Sequence, residues 1–140
     1  MKGLVRRRER IVRVRRVQHL HVAAAAAQAE GRVAQLENTS ERLRDLRGSL
    51  GAAPGTTFGA ALASASELGE RLEKVRYGLT NAIVAARANA AEQSALRLAA
   101  RIREESALKL KTRSEAMCAA DREKRLSAIA GRRPVRGTDA

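Results

Sequence analysis

Residues 22–50 read VAAAAAQAEGRVAQLENTSERLRDLRGSL, and within them Val22, Ala29, Leu36, Leu43 and Leu50 stand seven residues apart. A second row, Val5, Val12, His19, Ala26 and Val33, occupies the companion position, so apolar side chains return every three or four residues along one stripe of a helix. Such a stripe is a coiled-coil seam and needs a second helix to cover it. The seam runs back into residues 1–16, where Leu4, Val5, Ile11, Val12 and Val14 alternate with Lys2, Arg6, Arg7, Arg8, Arg10, Arg13, Arg15 and Arg16 against the single acid Glu9. This is an amphipathic helical start, because arginine stems can lie over apolar surface while their heads stay in water. Asn38, Thr39 and Ser40 are poor interior residues, and Asn38 with Glu41 resembles a capping box. Leu36, Leu43 and Leu50 nevertheless hold phase across them, so one helix is expected over about 4–47.

Gly48, Gly51, Pro54 and Gly55 then punctuate the chain, which predicts a turn at about 48–57. A second helix, expected over about 58–130, carries one row at Phe58, Ala65, Leu72, Leu79, Ala86, Gln93, Ala100 and Ala107. Its companion row is read as Leu68, Val75, Ala82, Asn89, Leu96, Arg103, Leu110 and Met117. Folding this helix back about Pro54 matches the rows, with Leu36 meeting Leu72, Val33 meeting Val75, Ala26 meeting Ala82 and Val12 meeting Leu96. His19 then shares a polar layer with Asn89. The fold class that follows is all-α, a two-helix antiparallel coiled-coil hairpin with an extended C-terminal helix. Beyond Arg103 that helix is expected to overhang, leaving Leu110 and Met117 uncovered, and residues 131–140 are expected to be a disordered tail.

Composition agrees with thin helical packing. The 140 residues are 44% hydrophobic, yet Phe58 and Tyr77 are the only aromatics and much of the remainder is alanine, which suits close helix pairs and argues against a sheet. A net charge of +13 calls for an acidic partner, whether nucleic acid, anionic lipid or an acidic protein surface. Cys118 is the sole cysteine, which leaves no intrachain disulfide or cysteine zinc site and fits a reducing compartment. No run reaches the roughly 20 apolar residues of a membrane span. The alanines of 23–27 are too short for a signal h-region, so a cytoplasmic protein is expected. The Arg-rich start also has the composition of an organellar transit peptide, but its phase continues into the main seam.

Catalytic and metal-binding patterns are missing. There is no Gly-rich phosphate loop with its Lys-Ser/Thr and no H-E-x-x-H, and His19 and His21 fall on different helix faces. Two helices also offer no concave pocket, so the chain is expected to be no enzyme and to need no cofactor. What remains is surface: Tyr77, Val84, Ala91 and Leu98 recur every seven residues away from the expected seam, as a candidate docking stripe.

The opening Val5-Arg6-Arg7-Arg8 and the stretch Ile11-Val12-Arg13-Val14-Arg15-Arg16-Val17-Gln18, followed by an alanine-rich heptad helix, a Gly/Pro turn and a longer basic helix, resemble the flagellar FliJ family and its YscO-type injectisome relatives. The resemblance covers most of the chain as pattern and length. It implies a cytoplasmic part of type III protein export, peripheral at the inner face of the cell membrane through its partners, that inserts as a stalk into a hexameric export ATPase. It further implies contacts with a membrane export-gate protein and with export chaperones. The counterparts by position and character are Arg6, Arg7, Arg8, Arg10, Arg13, Arg113, Arg122 and Arg125 for the ATPase, and Tyr77, Val84 and Leu98 for the gate. The chain departs from the family in lacking an aromatic residue near its start and an acidic C-terminal finish.

Two rival readings come from other classes. A basic helix entering heptads is the plan of a bZIP nucleic-acid binder, but the base-reading Asn and Ala-Ala spacing is missing and a matching return helix follows. Specific nucleic-acid binding is therefore not expected, although nonspecific phosphate binding through the arginines stays open. A structural homodimer requires the hairpin to fail.

Overall fold

The computed structural model of the chain describes residues 2–50 and 58–132. Nearly all of them belong to two helices, α1 at Lys2–Ser49 and α2 at Gly59–Ala130, packed against each other as an antiparallel all-α hairpin. No strand occurs among the described residues. The expected turn about Pro54 and most of the expected disordered tail lie outside the described residues.

Local polar groups are absorbed without breaking either helix. Thr39 donates its hydroxyl to the Gln35 carbonyl at 2.8 Å, so α1 passes through Asn38–Ser40 uninterrupted. The Leu62 N–H donates to the Phe58 carbonyl at 3.1 Å in the first turn of α2, and the Gly131 N–H donates to the Ser127 carbonyl at 2.9 Å at its end.

The burial pattern of α1 follows the expected seam. Ala26 and Ala29 are buried, while Val5, Val12, His19, Val22, Val33, Leu36 and Leu43 are half-buried. In α2 the row through Leu72, Leu79, Ala86, Ala100 and Ala107 also faces α1 and continues through Ser114 to Asp121. The companion row differs from expectation by one residue. Gly69, Arg76, Ile83, Ala90, Glu104, Lys111 and Cys118 face inward, whereas Leu68, Val75, Leu96, Leu110 and Met117 are exposed.

Size explains this choice. The buried positions are all small, Ala26 and Ala29 in α1 and Ala100, Ala107 and Ser114 in α2, so the helices can approach closely there, and long Arg, Lys and Glu stems close the edges of the seam while their charged ends reach water. A row of leucines and valines in the companion position would hold the axes apart. It would also leave Ala26, Ala29, Ala100 and Ala107 facing voids.

The pairing register is shifted as well. Glu37 accepts from Arg87, Arg47 bonds Glu73 at 2.6 Å, and His19 Nδ1 lies 2.6 Å from Glu104 Oε2. Leu36 is therefore level with Ala86 and not with Leu72, and Val12 is level with Leu110 and Lys111 and not with Leu96. The displacement is about two heptads, which keeps every α1 seam residue facing inward and so is invisible to phase alone. His19 meets Glu104 in place of Asn89, which is exposed. The expected overhang beyond Arg103 shrinks correspondingly, since α1 covers α2 as far as Asp121.

Contacts cluster into two compact units. One comprises Met1–Leu20 with Leu98–Ala140 and the other His21–Arg97. In the second unit Leu43 and Leu79 share a level, Ser40 and Ile83 border one shallow groove, and Glu73 bridges Arg47 at 2.6 Å and Arg76 at 3.6 Å. In the first unit Arg8 and Arg15 occupy the seam row level with Ser114 and Ala107, and all four are half-buried or buried. Arginine stems thus lie over small side chains, and the Ser114 hydroxyl is satisfied by the Leu110 carbonyl at 2.8 Å.

Two outcomes follow from this packing. In a Cys118→Ser background, Leu36→Cys with Ala86→Cys crosslinks within one chain, whereas Leu36→Cys with Leu72→Cys does not; mass spectrometry of the crosslinked monomer reads the difference. Ala26, 1% exposed, has no room for a larger side chain. Ala26→Leu lowers the unfolding free energy by about 1–3 kcal/mol in urea titration, while Ala27→Leu on the exposed side changes it little.

Candidate functional site

Charge is distributed very unequally between the two units. Among the described residues, 2–20 with 98–132 carry 17 Lys and Arg against 6 Asp and Glu, whereas 21–50 with 58–97 carry 9 against 8. The net positive charge of the protein is thus concentrated where the start of α1 packs on the last part of α2. Like charges at that density repel one another, which costs stability and favours an anionic partner.

The local arrangement keeps most of these cations in water. Arg6, Arg7, Arg10, Arg13, Arg113, Arg122 and Arg125 are exposed, and among the described residues none of them forms an ion pair. Arg122 and Arg125 meet Lys2, Cys118 and Asp121 around an open depression of about 120 Å³. Cations from both helices thus belong to one unit. Arg8 is the exception: it lies half-buried in the seam row, where its stem is packing material.

Glu104 was not singled out by the sequence pattern, yet it anchors this unit. Its carboxylate meets His19 Nδ1 at 2.6 Å and lies 3.8 Å from the Arg16 guanidinium, with its side chain 15% exposed. One acid thereby meets two side chains of α1, His19 and Arg16. Its position seven residues before Lys111 and fourteen before Cys118 would have placed it in the inward row had that row been read correctly. Remaining ion pairs such as Arg101–Glu105 and Lys111–Glu115 join side chains four apart on α2 and contribute little each.

The candidate docking stripe is exposed on α2. Tyr77 (76%) and Val84 (61%) belong to the unit His21–Arg97, while Leu98 (59%) belongs to the other. Each faces away from α1, as expected. A groove bordered by Glu37, Glu41, Arg44, Arg76, Ile83 and Arg87 is shallow and open, and Glu37 pairs with Arg87 across it.

Among the described residues no group of His, Cys, Asp and Glu is arranged to hold a metal ion, and no helix is long and apolar enough to cross a membrane. No protein-family model, curated protein or solved structure matches the chain.

Exposure of the Tyr77 line carries its own test. Tyr77→Ala with Val84→Ala leaves the melting temperature and helical circular dichroism essentially unchanged, within about 0.5 kcal/mol, since surface substitutions lose little packing. A large loss of stability would assign both residues to the packed interior.

Proposed function

We propose that the protein is a non-enzymatic coiled-coil component of a type III protein export apparatus, similar to the FliJ family, that acts as a stalk in a hexameric export ATPase. The observation that carries this reading is the concentration of exposed cations on the unit formed by Met1–Leu20 and Leu98–Ala140 within an antiparallel hairpin. A ring of six subunits presents six copies of each loop, and a single asymmetric helix pair meets them best through contacts that tolerate rotation. Long solvated arginines meet that need better than fixed apolar knobs, and they steer the protein towards an acidic rim. Single exposed pairs are weak, so the cluster must act together.

In this reading Arg6, Arg7, Arg10, Arg13, Arg113, Arg122 and Arg125 face the ATPase, and Arg8 supports them from within the seam. Tyr77, Val84 and Leu98 offer apolar contacts to an export-gate protein, with export chaperones as further partners. The location is cytoplasmic, held at the inner face of the membrane by those partners.

The test is charge reversal outside the seam. Arg6→Glu, Arg7→Glu and Arg10→Glu together abolish stimulation of the export ATPase while the far-ultraviolet circular dichroism spectrum is retained. The same cations favour a second reading, nonspecific binding to nucleic acid. Tight duplex binding at physiological salt, with no effect on the ATPase, would establish that reading instead.

A further inference from the structure

The unit Met1–Leu20 with Leu98–Ala140 has two unlike flanks. On one, Lys2 and Arg122 come together beside Asp121, Arg16 approaches Glu104, and Lys111 pairs with Glu115. That flank is a mixture of both charges. On the other, the register sets Leu4 level with Met117 and Ile11 level with Leu110, one pair from each helix. Leu4 (49%), Leu110 (41%) and Met117 (56%) are exposed and Ile11 is half-buried, so they form an apolar ledge open to solvent.

Counting positions from the seam places Arg7, Arg103, Arg113 and Lys124 along the borders of this ledge, together with Val14. Among the described residues no carboxylate joins them. Glu104 and Asp121 face the seam, Glu9 and Glu115 sit on the opposite flank, and Glu105 and Glu123 lie on the outer surface of α2. The outer surface of α1, with Arg6, Arg10 and Arg13, is also free of acid among the described residues, whereas this face joins a cationic border to an aliphatic centre drawn from both helices.

We propose that this face binds the surface of a bilayer containing anionic phospholipid. The four aliphatic side chains enter the boundary between headgroups and acyl chains, and the arginines and lysine meet the phosphates. Two packed helices offer a broad, shallow contact, which suits a surface better than a pocket. Nucleic acid would satisfy the cations but gain nothing from Leu4, Ile11, Leu110 and Met117, and both aromatic residues able to stack on bases, Phe58 and Tyr77, belong to the other unit. Because no described helix can span a membrane, the association is peripheral and reversible. It stands on the placement of these residues alone and holds whether or not the protein joins an ATPase.

The test is co-sedimentation of the full chain with extruded vesicles of phosphatidylcholine, alone or with about a third phosphatidylglycerol, at about 0.15 M salt. Binding is expected only to the anionic vesicles and falls as salt rises. Leu110→Ser with Met117→Ser weakens partitioning roughly tenfold or more, whereas Ile102→Ser with Leu126→Ser, an apolar pair off this face and at least as exposed, leaves it near the wild-type value. Circular dichroism confirms folding of each variant. Arg103→Gln with Lys124→Gln reads the same face through charge, without altering its apolar packing, and weakens binding several-fold. Failure to bind anionic vesicles, equal losses from both apolar pairs, or duplex DNA displacing the protein from vesicles with Leu110→Ser and Met117→Ser binding that DNA as well as wild type would each overturn the proposal.

Discussion

Close approach of two helices through small side chains is the constraint on which the rest of this structure depends. Among the described residues Ala26, Ala29, Ala100, Ala107 and Ser114 are buried, and no large side chain is fully buried. Helices that meet through alanine leave little depth for leucine at the seam, so bulky aliphatic residues are displaced to the flanks and long polar stems take their place at the edges. Both the mixed-charge flank and the apolar ledge of the basic unit are consequences of that displacement.

The same constraint explains which parts of the architecture were legible in the sequence. Periodicity in 22–50 identified the α1 seam, and the row through Leu72, Leu79 and Ala86 identified one inward line of α2. The companion line is hidden in the sequence because Leu68, Val75, Leu96, Leu110 and Met117 outrank Gly69, Arg76, Ala90, Glu104 and Lys111 in hydrophobicity. Hydrophobicity predicts what leaves water, but in a narrow interface volume decides what fits. Register was a separate difficulty. A slip by whole heptads preserves phase, so it is decided by individual pairs such as His19–Glu104 and Glu37–Arg87, whose partners lie far apart in sequence.

The candidate surfaces were legible to a similar, partial extent. Clustered cations in 1–16 and near Arg122 announce an anionic partner, and the antiparallel hairpin brings them onto one body. Arg8 could not be distinguished from Arg6, Arg7 and Arg10 by composition. Only its coincidence with the seam row through Val22 and Ala29 separates a packing arginine from the solvated ones around it. Glu104 is hidden for the converse reason, since a carboxylate in a seam is recognised by its partner, and heptad matching about Pro54 pairs His19 with Asn89.

A core made of alanine has a calorimetric consequence. Heat-capacity change on unfolding scales with the apolar surface newly exposed to water, and here side chains as large as Leu36, Leu72 and Val33 are already partly hydrated in the folded state. The curve of stability against temperature should therefore be shallow for a chain of this length. Little of the folding free energy then depends on the strength of hydrophobic hydration, so cooling removes less of it than it would from a globular domain of equal size. Heating acts on long helices held by many small contacts, which favours progressive loosening from the helix ends over one sharp transition.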